Sequence, residues 1–313
     1  MNAESHAPAG SSSLSRGYLI CLTATVLWSF TGIFIRYLTE NFGIPALVLA
    51  FWRDTFVALA LLGAFSLFKS GLLRTESHHL RFLLGYGFIL AIFNAVWTAS
   101  VALNGAAIST VLVYSSTAFT TLLGWRLFAE RLTLTKVLIV LICLSGCVLV
   151  AGAYDPALWQ INPIGITTGL VSGLLFASYI LMGKASANRG IQAWTALLHS
   201  FGYAALFLLG FNLISALWQG ENPIANFLWL DGSVVGWGVL ILLAVGPTIG
   251  GFGLYTVSLG ILPASVANLI ATLEPALTAI LAYLLLGETL SPPQLAGSFM
   301  ILAGVVVLRL YEK

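Results

Sequence analysis

Charged residues are scarce in this chain of 313 residues: Asp, Glu, Lys and Arg make up 8% of it, whereas hydrophobic residues make up 59%. About a quarter of the residues of a soluble domain are charged, so the composition excludes a water-soluble fold. Cysteine is also rare, and Cys21, Cys143 and Cys147 all lie inside apolar runs, where neither a disulfide framework nor a zinc site has support. The net charge of +2 gives no reason to expect a nucleic acid partner. The composition predicts an integral membrane protein.

Catalytic signatures are missing as well. The sequence has no His-Glu-x-x-His, no Gly-x-Ser-x-Gly and no Gly-x-Gly-Asp-type pattern, so we expect neither an enzyme nor a bound metal or cofactor. Of the four histidines, His199 alone lies inside an apolar run. A structural hydrogen bond and a role in binding or proton transfer both remain open for it.

Long hydrophobic runs, by contrast, fill the chain. A helix needs about 20 apolar residues to cross a bilayer, and ten runs approach or reach that length. The ten predicted spans cover residues 17–38, 45–68, 81–103, 106–127, 134–153, 163–184, 192–218, 233–258, 263–286 and 292–310. We predict an all-α membrane protein whose first run is a retained helix rather than a signal peptide. Residues 1–15, rich in Ser, Ala and Pro, are expected to form a disordered cytoplasmic tail.

The positive residues separate the two faces of these spans. With both termini on the cytoplasmic side, Arg36 falls outside and Arg53 lies within the second span. The residues that fall inside are Arg16, Lys69, Arg74, Arg81, Arg126, Arg131, Lys136, Lys184, Arg189, Arg309 and Lys313. Because cytoplasmic loops are enriched in Lys and Arg, this distribution predicts that both termini are cytoplasmic.

The chain also repeats itself. A shift of 158 residues places Thr98 on Thr256, Glu130 on Glu288 and Gly146 on Gly304, and a shift of 148 aligns the first helix of each half. Both first helices have a small residue at every fourth position along one face, which favours close helix packing over ligand contact. We therefore predict two five-helix halves, residues 16–153 and 154–313. Because five is odd, the second half is inverted, an arrangement typical of secondary transporters.

Four short motifs follow one another in this duplicated chain: Ala-Thr-Val-Leu-Trp-Ser at 24–29, Phe-Trp-Arg at 51–53, Leu-Glu-Pro at 273–275 and Leu-Gly-Glu-Thr-Leu at 286–290. With Gln294, Gly297 and Gly304 they resemble the drug/metabolite transporter superfamily, and more narrowly its ten-helix EamA-type exporters. The resemblance covers nearly the whole chain. It implies export across a bacterial inner membrane, with the fifth and tenth helices at the periphery, and within the superfamily the chain resembles exporters of aromatic amino acids.

Polar and aromatic side chains within the spans supply the candidate substrate site. We predict a cavity lined by Trp28, Asn94, Trp97, Tyr114, Ser115, Tyr179, His199, Tyr203 and Tyr255. Trp97 and Tyr255 are repeat-equivalent and are predicted to form two walls of one cavity, with an interfacial aromatic belt as the alternative.

Three further features concern charge and flexibility. Asp54 and Glu274 are candidate proton carriers, because carboxyl groups at bilayer depth are costly and commonly functional. Arg53 is expected to tie its helix to another helix or loop; since neighbouring residues on a helix point about 100° apart, it is not expected to pair with Asp54. The proline-containing stretches at Gly246–Pro247 and at Pro275 are predicted hinges.

The sequence thus predicts a secondary transporter that exports a small amphipathic metabolite, most simply an aromatic or apolar amino acid, by alternating access around a central cavity. Carriers of sugars, nucleosides or drugs remain the alternative, followed by a passive channel, for which no continuous polar stripe is present. The expected partners are a small-molecule substrate and membrane lipid, and the protein is expected to be a monomer or homodimer.

Overall fold

The computed structural model describes residues 11–158, 163–220, 222, 227–286 and 289–311, and these residues contain helices but no β-strand. The α-helices are α1 (Ser11–Ser29), α2 (Thr31–Phe42), α3 (Ala46–Phe68), α4 (Ser77–Tyr114), α5 (Ser116–Phe128), α6 (Leu134–Val150), α7 (Pro163–Asn188), α8 (Ala193–Gln219), α9 (Val234–Leu243), α10 (Gly250–Leu259), α11 (Ala264–Ala271), α12 (Glu274–Leu286) and α13 (Pro292–Tyr311). Residues 1–10 of the predicted tail lie outside the described residues, whereas Ser11 to Ser15 already belong to α1.

Eight helical segments in the described part of the chain are long and apolar enough to cross a membrane, and α6 is a shorter apolar helix. The eight are Ser13–Phe42, Ala46–Phe68, Ser77–Val101, Pro163–Asn188, Ala193–Gln219, Val234–Leu259, Ala264–Leu281 and Pro292–Tyr311. The predicted span 106–127 corresponds to the end of α4 together with α5. The all-helical membrane architecture is therefore confirmed, and the count of ten inverted spans remains a prediction.

Helix α4 does not run straight. Ser100 Oγ donates a hydrogen bond to Ser109 Oγ at 3.0 Å, although nine residues of straight helix would separate them by ~13.5 Å. Its two ends also meet the same partner helix, since Phe93 stacks on Phe176 of α7 and Leu112 lies against Gly169 of α7. The chain therefore turns back between Ser100 and Ser109, and α4 contributes two antiparallel arms.

Four interruptions break the regular helices. α1 and α2 are separated at Phe30, α4 and α5 at Ser115, and α11 and α12 at residues 272–273. The fourth is a π-helical segment, Ala244–Ile249, which joins α9 to α10 and contains Pro247. Proline lacks the N–H that an α-helix requires, so the wider turn accommodates it.

Close helix contacts join the two halves at the periphery. α6 packs along α13, and a Cβ added at Gly146 would lie 2.8 Å from the carbonyl oxygen of Gly297. Similar packing explains the small residues of α7, because Gly169 and Gly173 lie directly against Leu112 and Ser115. Glycine thus serves here to bring backbones together.

Candidate functional site

A cavity of about 120 Å³ lies at the centre of the helices. Its lining includes six of the residues predicted from the sequence: Trp28, Arg53, Asn94, Trp97, Tyr114 and Glu274. The other lining residues are Thr31, Ile35, Phe93, Thr110, Val113, Phe176 and Phe252. Residues from seven helices of both halves therefore meet at one site.

The cavity lies where the helices are interrupted. Trp28 and Thr31 flank the break at Phe30, Tyr114 precedes the break at Ser115, and Glu274 follows the break at residues 272–273. Inside a membrane, irregular backbone is tolerated where it is covered by protein or lines a cavity. The carbonyl oxygen of Ser29, at the first break, accepts a hydrogen bond from Thr278 Oγ1 at 3.1 Å.

Arg53, Asp54 and Asn94 form a closed ring of hydrogen bonds on one wall. Arg53 Nε donates to Asp54 Oδ1 at 3.1 Å, Arg53 Nη2 donates to Asn94 Oδ1 at 3.1 Å, and Asn94 Nδ2 donates to Asp54 Oδ2 at 3.0 Å. The expectation that Arg53 would not pair with Asp54 is wrong, because the long arginine side chain folds back along its own helix. The expected tie to another helix is present, since Asn94 belongs to α4.

Glu274 lies at the start of α12 with its side chain half-buried at the cavity. The Tyr114 hydroxyl donates to Glu274 Oε2 at 2.7 Å and also lies 3.3 Å from the carbonyl oxygen of Ala271. Pro275 occupies the first helical turn, where a missing N–H costs nothing. The break therefore presents the carboxyl group to the cavity without disturbing α12.

Aromatic rings form the floor of the cavity. The Trp28 ring lies 4.8 Å from Phe252 in an edge-on arrangement and 6.4 Å from Phe176. Directly below, Tyr255 lies 4.7 Å from the Trp28 ring, and Tyr179 lies 5.9 Å from Phe252. Edge-on and offset contacts of this kind are favourable beyond the apolar area they bury.

Five of the predicted cavity residues lie elsewhere in the described part of the chain. Tyr179 and Tyr255 are buried beneath the floor, so Tyr255 belongs neither to the cavity wall nor to an interfacial belt. The Ser115 side chain faces Gly173 of α7. His199 and Tyr203 share a face of α8, but His199 Nδ1 bonds the carbonyl oxygen of Thr195 at 2.8 Å and Tyr203 packs on Gly87. Their side chains therefore have structural neighbours rather than an open site.

The π-helical segment contains the first predicted hinge, Gly246 and Pro247. The second predicted hinge, Pro275, lies in the first turn of α12, directly after the break at residues 272–273. Movement about them remains a prediction.

Phe93, Phe176 and Phe252 line the cavity although the sequence reasoning did not select them. A signal was available for two of them, because the shift of 148 residues places Phe176 on Trp28 and the shift of 158 residues places Phe252 on Asn94. Phe93 had no such signal, since a phenylalanine in an apolar span usually packs in the core.

Glu130 precedes the start of α6 in the chain, but the structure places its carboxylate at the start of a different helix. Glu130 Oε1 accepts from the backbone N–H of Ala264 at 2.7 Å, and Oε2 accepts from the N–H of Ser265 at 3.2 Å and from its hydroxyl. The carboxylate therefore caps α11, from the other half of the chain. Glu288, its repeat equivalent, lies outside the described residues.

Broken membrane helices that meet at an internal cavity are typical of secondary transporters. The model of the EamA-like transporter family matches residues 15–152 and again residues 163–310. The chain belongs to this family and is a membrane transporter.

Known relatives agree with this assignment. An uncharacterized transporter of Archaeoglobus fulgidus is 27% identical, with 93% of this chain and 95% of the relative covered. An uncharacterized inner membrane transporter of Salmonella typhimurium, YicL, is 25% identical over 95% of this chain and 96% of its own length. An uncharacterized transporter of Synechocystis is 27% identical over 74% of this chain and 66% of its own length. A protein of known crystal structure superposes with a TM-score of 0.76 at 19% identity, over 95% of this chain and 97% of that one, and this likeness concerns the fold.

Proposed function

We propose that the protein is a secondary transporter of the bacterial inner membrane that exports small amphipathic metabolites, most simply amino acids with aromatic or apolar side chains. It works by alternating access, with ten spans in two inverted halves, residues 16–153 and 154–313, and with both termini in the cytoplasm. The inner-membrane assignment is supported by the name of the Salmonella relative. The unit is a monomer or a homodimer.

The observation that carries the substrate class is the division of the cavity into a polar and an aromatic part. Arg53 and Asn94 stand on one wall and Glu274 with Tyr114 on another, while Trp28, Phe93, Phe176 and Phe252 supply rings. A zwitterion has a carboxylate suited to the Arg53 wall and an ammonium suited to Glu274. The rings suit an apolar or aromatic side chain and the attached ammonium.

The size of the cavity favours a mechanism in which the walls move. Sites for drug-sized ligands usually enclose about 300–1,000 Å³, whereas this one encloses about 120 Å³. An amino acid with a large side chain therefore requires the helices to separate further. The three interruptions at the cavity, at Phe30, Ser115 and residues 272–273, are suitable points for that movement.

Of the two candidate proton carriers, Glu274 fits the role better than Asp54. Both oxygens of Asp54 are occupied by Arg53 and Asn94, and its side chain has no exposed surface. Glu274 faces the cavity, where a substrate ammonium and a proton would compete for the same carboxylate. We therefore infer that Glu274 exchanges a proton for the substrate.

The test is counterflow in proteoliposomes that contain the purified full-length protein. Vesicles loaded with unlabelled phenylalanine or leucine should transiently accumulate the labelled amino acid, and the accumulation should saturate. Sugars, nucleosides and cationic dyes form the comparison arms. Accumulation driven by one of those and not by any amino acid would reject the substrate class, and non-saturable flux without counterflow would indicate a channel.

A further inference from the structure

Trp28 and Asn94 have repeat equivalents, Phe176 and Phe252, that also line the cavity, but four other polar or aromatic lining residues have repeat equivalents that do not line it. The equivalent pairs, by the shift of 148 residues for the first helix and 158 for the others, are Thr31 and Tyr179, Trp97 and Tyr255, Thr110 and Asn268, and Tyr114 and Thr272. The first member of each pair faces the cavity. The second members, which we call the packed set, are each at most 1% exposed.

The two sets lie toward opposite faces of the membrane. The cavity extends from Glu274 to Ile35 and Trp97, near Arg36 and the reversal of α4. In the packed set, Tyr179, Tyr255 and Asn268 lie beyond the aromatic floor, on the side where α7 ends beyond Lys184 and α10 ends at Leu259, whereas Thr272 lies at the break next to Glu274. We call these sides the Arg36 face and the Lys184 face. The distribution of Lys and Arg predicts that the Lys184 face is cytoplasmic.

The packed set contains polar atoms without partners. Within the described part of the chain, neither the Tyr255 hydroxyl nor Asn268 Oδ1 has a hydrogen-bond partner, although both residues have no exposed surface. The Nδ2 of Asn268 does bond Ser116 Oγ and Thr120 Oγ1, at 3.2 and 3.0 Å. Buried polar atoms are rarely left unsatisfied, and an exception requires a reason. A group that meets water or a ligand in another conformation provides one.

Two charged residues bond the backbone between α10 and α11 at the Lys184 face. Lys184 Nζ donates to the carbonyl oxygens of Leu259 and Leu262, each at 2.9 Å, and so fixes the turn between α10 and α11. Glu130 fixes the next two residues, Ala264 and Ser265, through their backbone N–H groups. We call Lys184 and Glu130 the latch. Its bonds join α7 and the end of α5 to the turn that covers the packed set.

We propose that the packed set lines a second, closed half of the translocation pathway, which opens to the Lys184 face when the latch releases. In that conformation the Tyr255 hydroxyl and Asn268 Oδ1 bond the polar head of an amphipathic substrate, as Arg53, Asn94 and Glu274 do on the other side. The substrate contact rests on the proposed function; the opening of the packed set does not.

Cysteine accessibility tests the proposal without any substrate. In the full-length chain with Cys21, Cys143 and Cys147 replaced by alanine, Asn268→Cys reports on the packed set and Thr110→Cys, its repeat equivalent, reports on the cavity. A membrane-impermeant thiosulfonate is applied to right-side-out and inside-out vesicles. Thr110→Cys should react from the Arg36 face, whereas Asn268→Cys should react slowly from the Lys184 face.

Breaking the latch should exchange the two reactivities. Lys184→Met, and separately Glu130→Gln, should raise the rate at Asn268→Cys by about tenfold and lower the rate at Thr110→Cys, because one population gains what the other loses. Arg189→Met is the matched control at the same face, since Arg189 stacks on Phe82 and should leave both rates unchanged. Thr272→Cys replaces Asn268→Cys if that variant does not fold.

Unchanged labelling of the packed set in both latch variants would overturn the proposal. So would a rise at Asn268→Cys without a fall at Thr110→Cys, because that pattern indicates local loosening. If the rates exchange but phenylalanine and leucine neither drive counterflow nor protect either cysteine, the substrate class fails while the second half-pathway stands.

Discussion

The segment from α4 to α5 and the segment from α9 to α12 are related by the shift of 158 residues, and they share one break but differ in chemistry. Both are interrupted at equivalent positions, Ser115 in the first and residues 272–273 in the second. Only the second has Glu-Pro at the break, where the first has Ser116 and Thr117. The second also contains the π-helical segment, whereas the equivalent residues of the first form regular α-helix. Duplication thus accounts for the shared break, and later divergence for the acid and the wider turn.

The charges of the two halves differ in the same way. In the first half, Arg53, Asp54 and Asn94 satisfy one another, so their wall is electrically balanced and rigid. In the second half, Glu274 has a tyrosine from the other half as its partner and faces the cavity. The comparison places the mutually bonded polar groups in one half, and the carboxyl group that we propose to exchange a proton in the other.

The largest expected effect comes from breaking the ring. Arg53→Leu leaves Asp54 buried without its cation and should lower the free energy of unfolding by about 3–5 kcal/mol. Adding Asp54→Leu to the same protein should recover much of the loss, because no uncompensated charge remains. Thermal unfolding in detergent measures both. If the single variant is as stable as the parent, the hydrogen bonds among Arg53, Asp54 and Asn94 do not stabilise the first half.

Glu274→Gln should affect transport rather than folding. Glutamine keeps an oxygen that accepts from Tyr114, so the stability change should stay within about 1 kcal/mol. Flux in vesicles should lose its dependence on pH, because the group that exchanges the proton is gone. Ser116→Ala, at the equivalent position of the first half, is the control and should keep the dependence. Full, pH-dependent transport by Glu274→Gln would end the proton-carrier role of this residue.

Gly251→Ala tests the floor of the cavity. A Cβ at this position would overlap the Trp28 ring, and overpacking of this kind costs about 1–3 kcal/mol. Gly238, in α9, has open space around it, so Gly238→Ala should be neutral or slightly stabilising. Equal melting temperatures for the two variants would contradict the close contact between Trp28 and Gly251.

Pro247→Ala should have the smallest effect on stability and still reduce flux. Alanine restores the N–H, and the stability change should remain below about 1 kcal/mol. A more regular helix would then resist the bending predicted at the π-helical segment. The measurement is initial flux normalised to protein in the membrane. Unchanged flux at an unchanged protein level would exclude a gating role for the proline.

Hydrophobicity and repetition made the general architecture predictable, because every span must be apolar and duplicated spans keep their order. The contribution of Trp28, Asn94 and Tyr114 to one cavity also followed from the chain, since polar groups are costly among lipids and tend to face the protein interior. The break at Ser115 did not, because no glycine or proline marks it and the interruption depends on packing against α7 and α11.

Contacts between residues that are distant in the sequence could not be predicted from local sequence patterns. Glu130 precedes a helix start in the chain, yet it caps α11, 134 residues further on. The pairing of Arg53 with Asp54 was missed for a different reason, since side-chain length outweighed the angle between the two Cβ directions. His199 and Tyr203 share a helix face as expected, but that face packs toward α4.

The contact of α6 with α13 has a mechanical consequence. The backbones at Gly146 and Gly297 approach so closely that a single methyl group on either would overlap the other helix. Such an interface has no clearance for sliding. In the proposed alternating-access cycle the contact of α6 with α13 would therefore act as a fulcrum, and a rotation of a few degrees about it would become a translation at the cavity.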